Sequence, residues 1–284
     1  MTEQRLYHCF VAGLPELRFD GSAVWISPAG FVEQLRRELH PDDFRMAGML
    51  LLRHDHDNMI RYILGKELKH QGVALFTESH FNQQKEIFDA IVPQEDILPP
   101  YMAEALRRCI AEENAPDTLE CRRMLDSGYY DYIMQHGSRF SREYTTFEYN
   151  LSNMLSFIMA SRQESDPLIS VTGVNPFSEH LRETGARNLV KDPEFEYFDE
   201  ILSVADTYTL ADAEMRYDRL RWQVVEKITL FEDFSADAVM GYMMKLLIAS
   251  RWDGLSEKRG KEYLLETVDN ALGKHLVAEN ETND

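Results

Sequence analysis

Two long stretches of apolar residues spaced three and four positions apart constrain the fold of this chain more than any other feature. One runs from Arg142 to about Ser161, and the other runs from Leu210 to Phe231. In an α-helix this spacing aligns the apolar side chains along one face, which can then pack against neighbouring helices. Both stretches are therefore predicted to be long core helices.

Other segments carry helical signals as well. Ser27 followed by Pro28 is a favourable helix start, because serine caps the first turn and proline fits within it. Further helices are predicted over residues 102–113, 119–136 and 234–252, and Ser256 is predicted to cap a last one. The apolar run 6–17 suits either a short buried strand or a helix start. We therefore predict a mainly α, multi-helix protein with at most a minor β contribution near the N-terminus.

Proline and glycine divide these helices into regions. Residues 166–193 contain both repeatedly and are predicted to be an irregular linker, and Pro99–Pro100 ends a second break. The predicted organisation is an N-terminal helical region (1–98), a central helical region (99–165), the linker (166–193), a C-terminal helical region (194–275) and a frayed tail (276–284). A polar start followed by an apolar run recurs at 57–64, 149–155 and 218–225. This recurrence has two interpretations: related helical subdomains, or the general similarity of amphipathic helices.

Composition narrows the class of function. The 284 residues include 30 basic and 49 acidic ones, and the formal net charge of -19 repels the phosphate backbone of a nucleic acid. No apolar stretch approaches the roughly 18 residues that a membrane span requires, and the first residues do not form a secretory signal. We therefore expect a cytoplasmic protein with no nucleic-acid partner and no direct membrane insertion.

The three cysteines give little sign of a metal site. Cys9, Cys109 and Cys121 form no CxxC pair, and their odd number fits a reducing compartment. Cys109 and Cys121 are predicted to fill helix faces rather than to bind a metal.

The run His54-Asp55-His56-Asp57 is the strongest candidate for chemistry, because imidazole and carboxylate groups bind zinc and other divalent metals. On a helix His54 and His56 would point about 200° apart, so a shared ion needs a loop or strand at this position. The flanking apolar residues favour two buried elements joined by a solvated polar turn. We expect the turn. The alternative is a metal site of His54, His56 and Asp57 in a metal-dependent hydrolase.

The sequence motifs typical of nucleotide binding and of nucleophilic catalysis do not occur. The sequence contains neither GxGxxG nor GxSxG, and the loop Gly173–Pro176 lacks the spacing of a phosphate-binding loop. Carboxylates such as Glu143 and Glu148 lie on predicted helices, where solvated or interhelical roles are far commoner than catalytic ones. We therefore expect a protein that is not an enzyme and binds no cofactor.

Residues 192–214 contain eight acidic residues and neither lysine nor arginine. Apolar residues are interspersed among them, so the segment differs from a disordered acidic tail. It is either a solvated helix face or a docking surface for a basic partner. The candidate partner-binding residues are Asp192, Glu194, Glu196, Asp199, Glu200 and Asp206.

Several segments together resemble a bacterial protein family of unknown function. Residues 7–17, YHCFVAGLPEL, resemble an N-terminal signature of the form YYxLVAxLPxL. Residues 140–153, FSREYTTFEYNLSN, are similar to the family segment FxREWxxFExNLxN, and the blocks 219–222 and 245–252 are also similar to family segments. The resemblance spans nearly the whole chain.

Members of that family are encoded in operons for V/A-type ATPases, where a gene for the C subunit is expected. The resemblance therefore implies an equivalent of the C subunit (subunit d in eukaryotes), an all-helical funnel of three related subdomains. Its implied partners are the rotor stalk and membrane-ring subunits, which would place the protein peripheral to the membrane through them. A generic helical adaptor with other partners is the remaining alternative.

Overall fold

The chain folds almost entirely into α-helices. The computed structural model describes residues 5–19, 24–92, 94–111, 117–162, 166, 171–184, 189–207 and 210–253. These ranges contain eleven helices, and their extended pairing consists of one isolated antiparallel bridge between Leu6 and Ser235. The prediction of a mainly α protein is confirmed. Among the described helices, none is both long enough and apolar enough to span a bilayer.

The described helices match most of the predicted segments. In chain order they are α1 (His8–Ala12), α2 (Pro28–Glu38), α3 (Pro41–Ile63), α4 (Glu78–Asp89), α5 (Pro100–Ala111), α6 (Thr118–His136), α7 (Arg139–Arg162), α8 (Pro176–Glu183), α9 (Phe198–Thr207), α10 (Leu210–Thr229) and α11 (Ala236–Asp253). The two predicted core helices are α7 and α10. Ser27 caps α2 as predicted, since its Oγ accepts a hydrogen bond from the Gly30 N–H at 3.1 Å. The helix predicted after Ser256 and the tail 276–284 lie outside the described residues.

The apolar run at the N-terminus forms the short helix α1 rather than a strand. It is fastened to the C-terminal half of the chain, because the Tyr7 N–H donates to the Phe234 carbonyl at 2.7 Å. This bond accompanies the isolated Leu6–Ser235 bridge. The first residues therefore close onto the turn that precedes α11.

The described residues bury two hydrophobic cores. Core 1 packs α2 and part of α3 against α7, α8, α9, α10 and α11, and core 2 packs another part of α3 against α4, α5 and α6. α3 serves both, because Leu50 and Leu51 enter core 1 whereas Met49 and Leu52 enter core 2. α7, which lies in the predicted central region, is a main element of core 1.

The described part of the predicted linker 166–193 is not a free connection. It contains α8, whose first turn is fixed by a reciprocal capping box at Asn175. Phe177 and Leu181 are fully buried in core 1. The two apolar residues are four positions apart on the helix, so a short amphipathic helix forms despite the surrounding proline and glycine.

Cys109 of α5 and Cys121 of α6 are both buried on packed helix faces, as predicted. Their sulfur atoms are joined in a disulfide bond, which corrects the expectation that the cysteines are reduced. Packing of α5 against α6 is the physical reason, because it places the two Cα atoms 6.2 Å apart, within disulfide reach. Cys9 is free and exposed.

Candidate functional site

The run His54-Asp55-His56-Asp57 lies inside the continuous helix α3, so the predicted solvated turn is wrong. Buried residues such as Leu52 and Met59 on either side belong to the same helix and the same core. The polar side chains do not interrupt the helix because they find partners within the protein rather than in solvent.

These partners draw the predicted ligands apart. His54 Nδ1 lies 3.2 Å from a carbonyl oxygen of its own helix, and Asp57 accepts a hydrogen bond from Arg122 Nη2 at 2.6 Å. His56 Nε2 lies 2.8 Å from the Tyr101 hydroxyl. In the described ranges, no group of three or more His, Cys, Asp or Glu side chains is placed to hold a metal ion. The structure does not bring His54, His56 and Asp57 together.

His56 is enclosed by aromatic rings. Tyr101 and Tyr129 both meet its imidazole edge to face, with ring centroids 5.6 and 5.5 Å away. Burial lowers the pKa of His56, although the Asp126 carboxylate, 3.8 Å from Nδ1, opposes that shift. His56 is therefore a neutral core residue at neutral pH rather than an exposed ligand.

Asp55 joins α3 to the segment before α4. Its two carboxylate oxygens accept hydrogen bonds from the backbone N–H groups of Leu75 at 3.1 Å and Phe76 at 2.8 Å. The side chain is fully buried, and burial raises the pKa of Asp55 to about 7 against the opposing effect of these two bonds. Asp55 thus satisfies two backbone donors of a segment that has no helix of its own.

A different set of charged side chains does converge, and sequence reasoning did not identify it as a site. Six residues of alternating charge form a continuous path from α3 through α7 and α10 to α11. We call this path the arginine–carboxylate ladder. Its members, in spatial order, are Arg53, Glu148, Arg221, Asp218, Arg251 and Glu214.

Glu148 of α7 receives arginines from two other helices. Its Oε1 accepts a hydrogen bond from Arg221 Nε of α10 at 2.7 Å, and its Oε2 lies 3.6 Å from Arg53 Nη1 of α3. Burial alone would favour the neutral acid. The charges of Arg221 and Arg53, with hydrogen bonds from Arg221 and Tyr144, outweigh burial and hold the pKa of Glu148 below its usual value. Glu148 is therefore an ionised carboxylate that links three helices.

Asp218 makes the second junction of the ladder. Its carboxylate accepts hydrogen bonds from Arg221 Nη1 at 2.8 Å, from Arg251 Nη1 at 3.0 Å and from the Trp252 indole N–H at 3.0 Å. Arg251 Nη2 then donates to Glu214 at 2.7 Å. Because Arg221 bonds both carboxylates, the α7–α10 and α10–α11 contacts share one guanidinium group.

The segments that carry the sequence resemblance meet in this ladder. Glu148 belongs to the motif at residues 140–153, and Arg221 belongs to the block 219–222. Arg251 and Trp252 end the block 245–252. The sequence signal that could have revealed the ladder is a charged residue within an apolar helical stripe, which is expensive to bury without an opposite charge.

The asparagines of the same motif hold the segment before α8. Asn153 Oδ1 accepts from the Thr172 N–H at 2.9 Å, and Asn150 Oδ1 accepts from Asn175 Nδ2 at 2.7 Å. Between these contacts Gly173 has a φ of 60°, and a Cβ at this position would lie 1.5 Å from the Tyr149 hydroxyl. The resemblance thus falls on side chains that fasten one element of core 1 to another.

The predicted partner-binding residues do not form one uniform exposed surface. Asp192 is only 8% exposed, and its Oδ1 accepts a hydrogen bond from the Glu194 N–H at 2.9 Å within a turn. Three others pair with cations: Glu196 with Lys227, Asp199 with Lys191, and Asp206 with Arg162. Glu194 and Glu200 are exposed. Cations from outside residues 192–214 therefore offset much of the charge that the sequence concentrates there.

Two pairs of large apolar side chains project into solvent. Leu230 and Phe231, in the turn between α10 and α11, are 66% and 89% exposed, and we call this pair the α10–α11 tip. Ile91 and Val92, after α4, are 100% and 70% exposed. Aromatic side chains are enriched at the centres of protein interfaces, so Phe231 makes the α10–α11 tip the stronger candidate for a partner contact.

Comparison with known proteins places the chain in a family. The sequence pattern of the family described as "Protein of unknown function (DUF2764)" matches residues 4–273. A search of the curated proteins found no match. The matched range includes both cores, every residue of the ladder and the α10–α11 tip.

Proposed function

The chain belongs to the DUF2764 family, and we propose that it is a non-catalytic coupling and assembly subunit of a V/A-type ATPase. In this role it joins the central rotor stalk to the membrane ring. The observation that carries the proposal is the arginine–carboxylate ladder. The segments that resemble a family encoded with these ATPases supply the side chains that fasten α7, α10 and α11 together.

A coupling subunit has to pass force from one partner to another without letting its helices slide. Close-packed interiors are barely compressible and transmit strain, and buried ion pairs with fixed geometry resist a change of helix register. The ladder supplies partly buried pairs between α3, α7, α10 and α11, in each of which the carboxylate is no more than 13% exposed. Since α3 enters both cores, a load on core 1 reaches core 2 through one continuous helix.

The α10–α11 tip is the partner contact that this function needs. Phe231 lies just beyond the end of α10, whose Lys227 binds Glu196 of the acidic segment. Asp233 beside the tip is also exposed. An exposed aromatic residue close to the exposed carboxylate of Asp233 suits an apolar pocket with a basic residue at its rim, and the opposite charges would help to orient the encounter.

Co-purification tests the proposal. A tagged copy expressed in its native host should recover rotor-stalk and membrane-ring subunits, identified by mass spectrometry. The double variant Leu230→Ser/Phe231→Ser should reduce that recovery by roughly tenfold or more, since buried aromatic anchors dominate interface energies. The matched control Ile91→Ser/Val92→Ser removes an exposed apolar pair beside core 2 and should leave recovery unchanged.

The outcomes separate the alternatives. A reproducible set of partners that lacks every stalk and ring subunit would contradict the ATPase role and favour a generic helical adaptor. Equal recovery by the tip variant and the wild type would contradict the assignment of the α10–α11 tip. Circular dichroism of both double variants shows whether any loss arises from unfolding rather than from a missing contact.

A further inference from the structure

A cavity of about 520 Å³ opens where α3 passes from one core to the other. Its apolar wall is formed by side chains of α3 and of the segments that precede α4 and α5. The main contributors are Phe44, Met49, Leu52, Leu75, Phe76 and Leu98. Cavities of about 300–1,000 Å³ with a mostly apolar lining and a few polar groups are typical of small-molecule sites.

The charge at this cavity is opposite to that of the protein as a whole. Arg36 and Arg45 are the charged residues of its lining, in a chain with 30 basic and 49 acidic residues. Arg36 Nε lies 3.7 Å from Glu33, and Arg45 Nη2 lies 3.9 Å from Asp42, each on the same helix as its arginine. The Arg36 guanidinium also lies 4.9 Å from the centre of the Phe44 ring, another residue of the lining. Both arginines are exposed, so their guanidinium groups can bind an anion at the cavity mouth.

A glycine lets Leu75 pack closely against α3 in the wall of the cavity. Gly48 lies in the interior of α3 and is buried, although glycine is unfavourable in a helix relative to alanine. A Cβ at Gly48 would lie 3.1 Å from Leu75 Cδ1, a side chain that lines the same cavity. Residues 44, 45, 48, 49 and 52 lie on one face of α3, so a larger residue at position 48 would press on Leu75 and narrow the cavity.

We propose that this cavity binds a single-chain amphiphile with an anionic head group, such as a fatty acid or an alkyl phosphate. The alkyl chain packs against Met49, Leu52 and Phe76. The head group accepts hydrogen bonds from Arg36 and Arg45, because the planar guanidinium group matches the oxygens of a carboxylate or a phosphate. This site is separate from the ladder and from the α10–α11 tip, and it does not depend on the proposed ATPase role.

Isothermal titration calorimetry on the full chain tests the ligand class. Decanoate and decyl phosphate, each below its micelle concentration, should bind at one site per chain, and the tighter of the two identifies the head group. Decanol and decyltrimethylammonium carry the same alkyl chain without the negative charge. They should bind at least about tenfold more weakly, since charge-assisted hydrogen bonds are the stronger class.

Variants place the binding in this cavity. Arg36→Gln/Arg45→Gln should weaken the preferred anion by about tenfold or more, because both charge-assisted contacts are lost. The matched control Arg37→Gln removes an exposed arginine next to Arg36 that does not line the cavity, and it should bind like the wild type. Gly48→Leu should abolish binding by narrowing the cavity, with its fold checked by circular dichroism.

Three results would overturn the proposal. The first is unchanged anion affinity in Arg36→Gln/Arg45→Gln, which tests the site even where Gly48→Leu fails to fold. The second is decanol binding as tightly as the anions. The third is binding to vesicles of anionic phospholipid without saturable binding of any soluble amphiphile, which would assign the two arginines to a membrane surface instead.

Discussion

Glu148 beside core 1 and Asp55 beside core 2 are carboxylates, the first largely buried and the second fully buried, whose pKa values shift in opposite directions. Glu148 faces two guanidinium groups, and its pKa lies below the usual value. Asp55 accepts two backbone N–H bonds without an ion pair among the described contacts, and burial raises its pKa to about 7. At Asp55 two backbone hydrogen bonds do not offset the effect of burial on the pKa, whereas at Glu148 the charges of two arginines do.

The largest loss of unfolding free energy is expected at Glu148, where the ladder joins three helices. Glu148→Gln removes the carboxylate closest to Arg221, which is 21% exposed and keeps Asp218 as a partner. Breaking a buried pair from one side costs about 3–5 kcal/mol, and because a partner remains we expect a loss near the lower end, about 3 kcal/mol. Urea unfolding at pH 7 measures this loss. Glu143→Gln on the same helix removes an exposed carboxylate 3.8 Å from Arg139 and should cost less than about 0.5 kcal/mol. Similar losses for the two variants would mean that burial and pairing do not distinguish Glu148.

The lowered pKa of Glu148 predicts that its contribution to stability is lost in acid. A carboxylate whose pKa is lower in the folded state contributes stability above its unfolded value and loses it as the pH falls further. The stabilisation from Glu148 should therefore decline below about pH 4.5, its usual value. The difference in unfolding free energy between wild type and Glu148→Gln should shrink over that range.

An effect of intermediate size on the unfolding free energy is expected at Asp55. Its pH dependence should be opposite to that of Glu148. The folded pKa of Asp55, about 7, lies above the model-compound value of 3.8, so the folded state binds the proton more tightly. Stability from this group should therefore fall as the pH rises from about 4 to 7, by on the order of 2 kcal/mol between pH 5 and pH 8.

Asp55→Asn removes the titration while keeping the size of the side chain. The variant should be less stable than wild type at pH 5, because an amide offers one acceptor oxygen for two backbone donors. Its deficit should narrow by pH 8, measured by urea unfolding at both pH values. Asp89→Asn, on the last turn of α4, is the control and should follow the wild-type pH dependence. An Asp55→Asn deficit that stayed constant from pH 5 to pH 8 would contradict the assigned pKa.

The smallest change in unfolding free energy is expected in the acidic segment, residues 192–214. Asp199 pairs with Lys191, and both side chains are more than half exposed. Exposed pairs of this kind contribute about 0–1 kcal/mol and weaken with salt, so Asp199→Asn should change the unfolding free energy by less than about 0.5 kcal/mol. Thermal unfolding at low and high salt measures the effect. A loss approaching that of Glu148→Gln would show that solvent exposure does not separate the two pairs.

Local sequence patterns predicted most of the helices. The stripes of α7 and α10 and the Ser27–Pro28 start of α2 depend only on residues near each other in the chain. The run 54–57 misled because its charged side chains suggested solvent, whereas their partners lie in other elements. Leu75 and Phe76, which satisfy Asp55, are 20 and 21 positions away, and no local pattern reveals such a contact.

The arginine–carboxylate ladder could not be predicted from local sequence patterns for the same reason. Glu148 and Arg221 are separated by 73 positions, and their pairing depends on how α7 packs against α10. The sequence shows that residues 192–214 are rich in acidic residues. The cations that offset this negative charge, such as Arg162 and Lys227, lie elsewhere in the chain. The division into subdomains stays a prediction, although the three recurring segments lie on α3, α7 and α10.

α3 has a consequence for how the molecule unfolds. Its 23 residues form a rod of about 34 Å, and its buried apolar residues between positions 47 and 52 are divided between the two cores. Neither core can melt alone, because loss of its share of α3 would strip the neighbouring turns of the other core. The backbone amides of α3 are therefore expected to exchange with deuterium only during global unfolding, with a single cooperative transition for both cores.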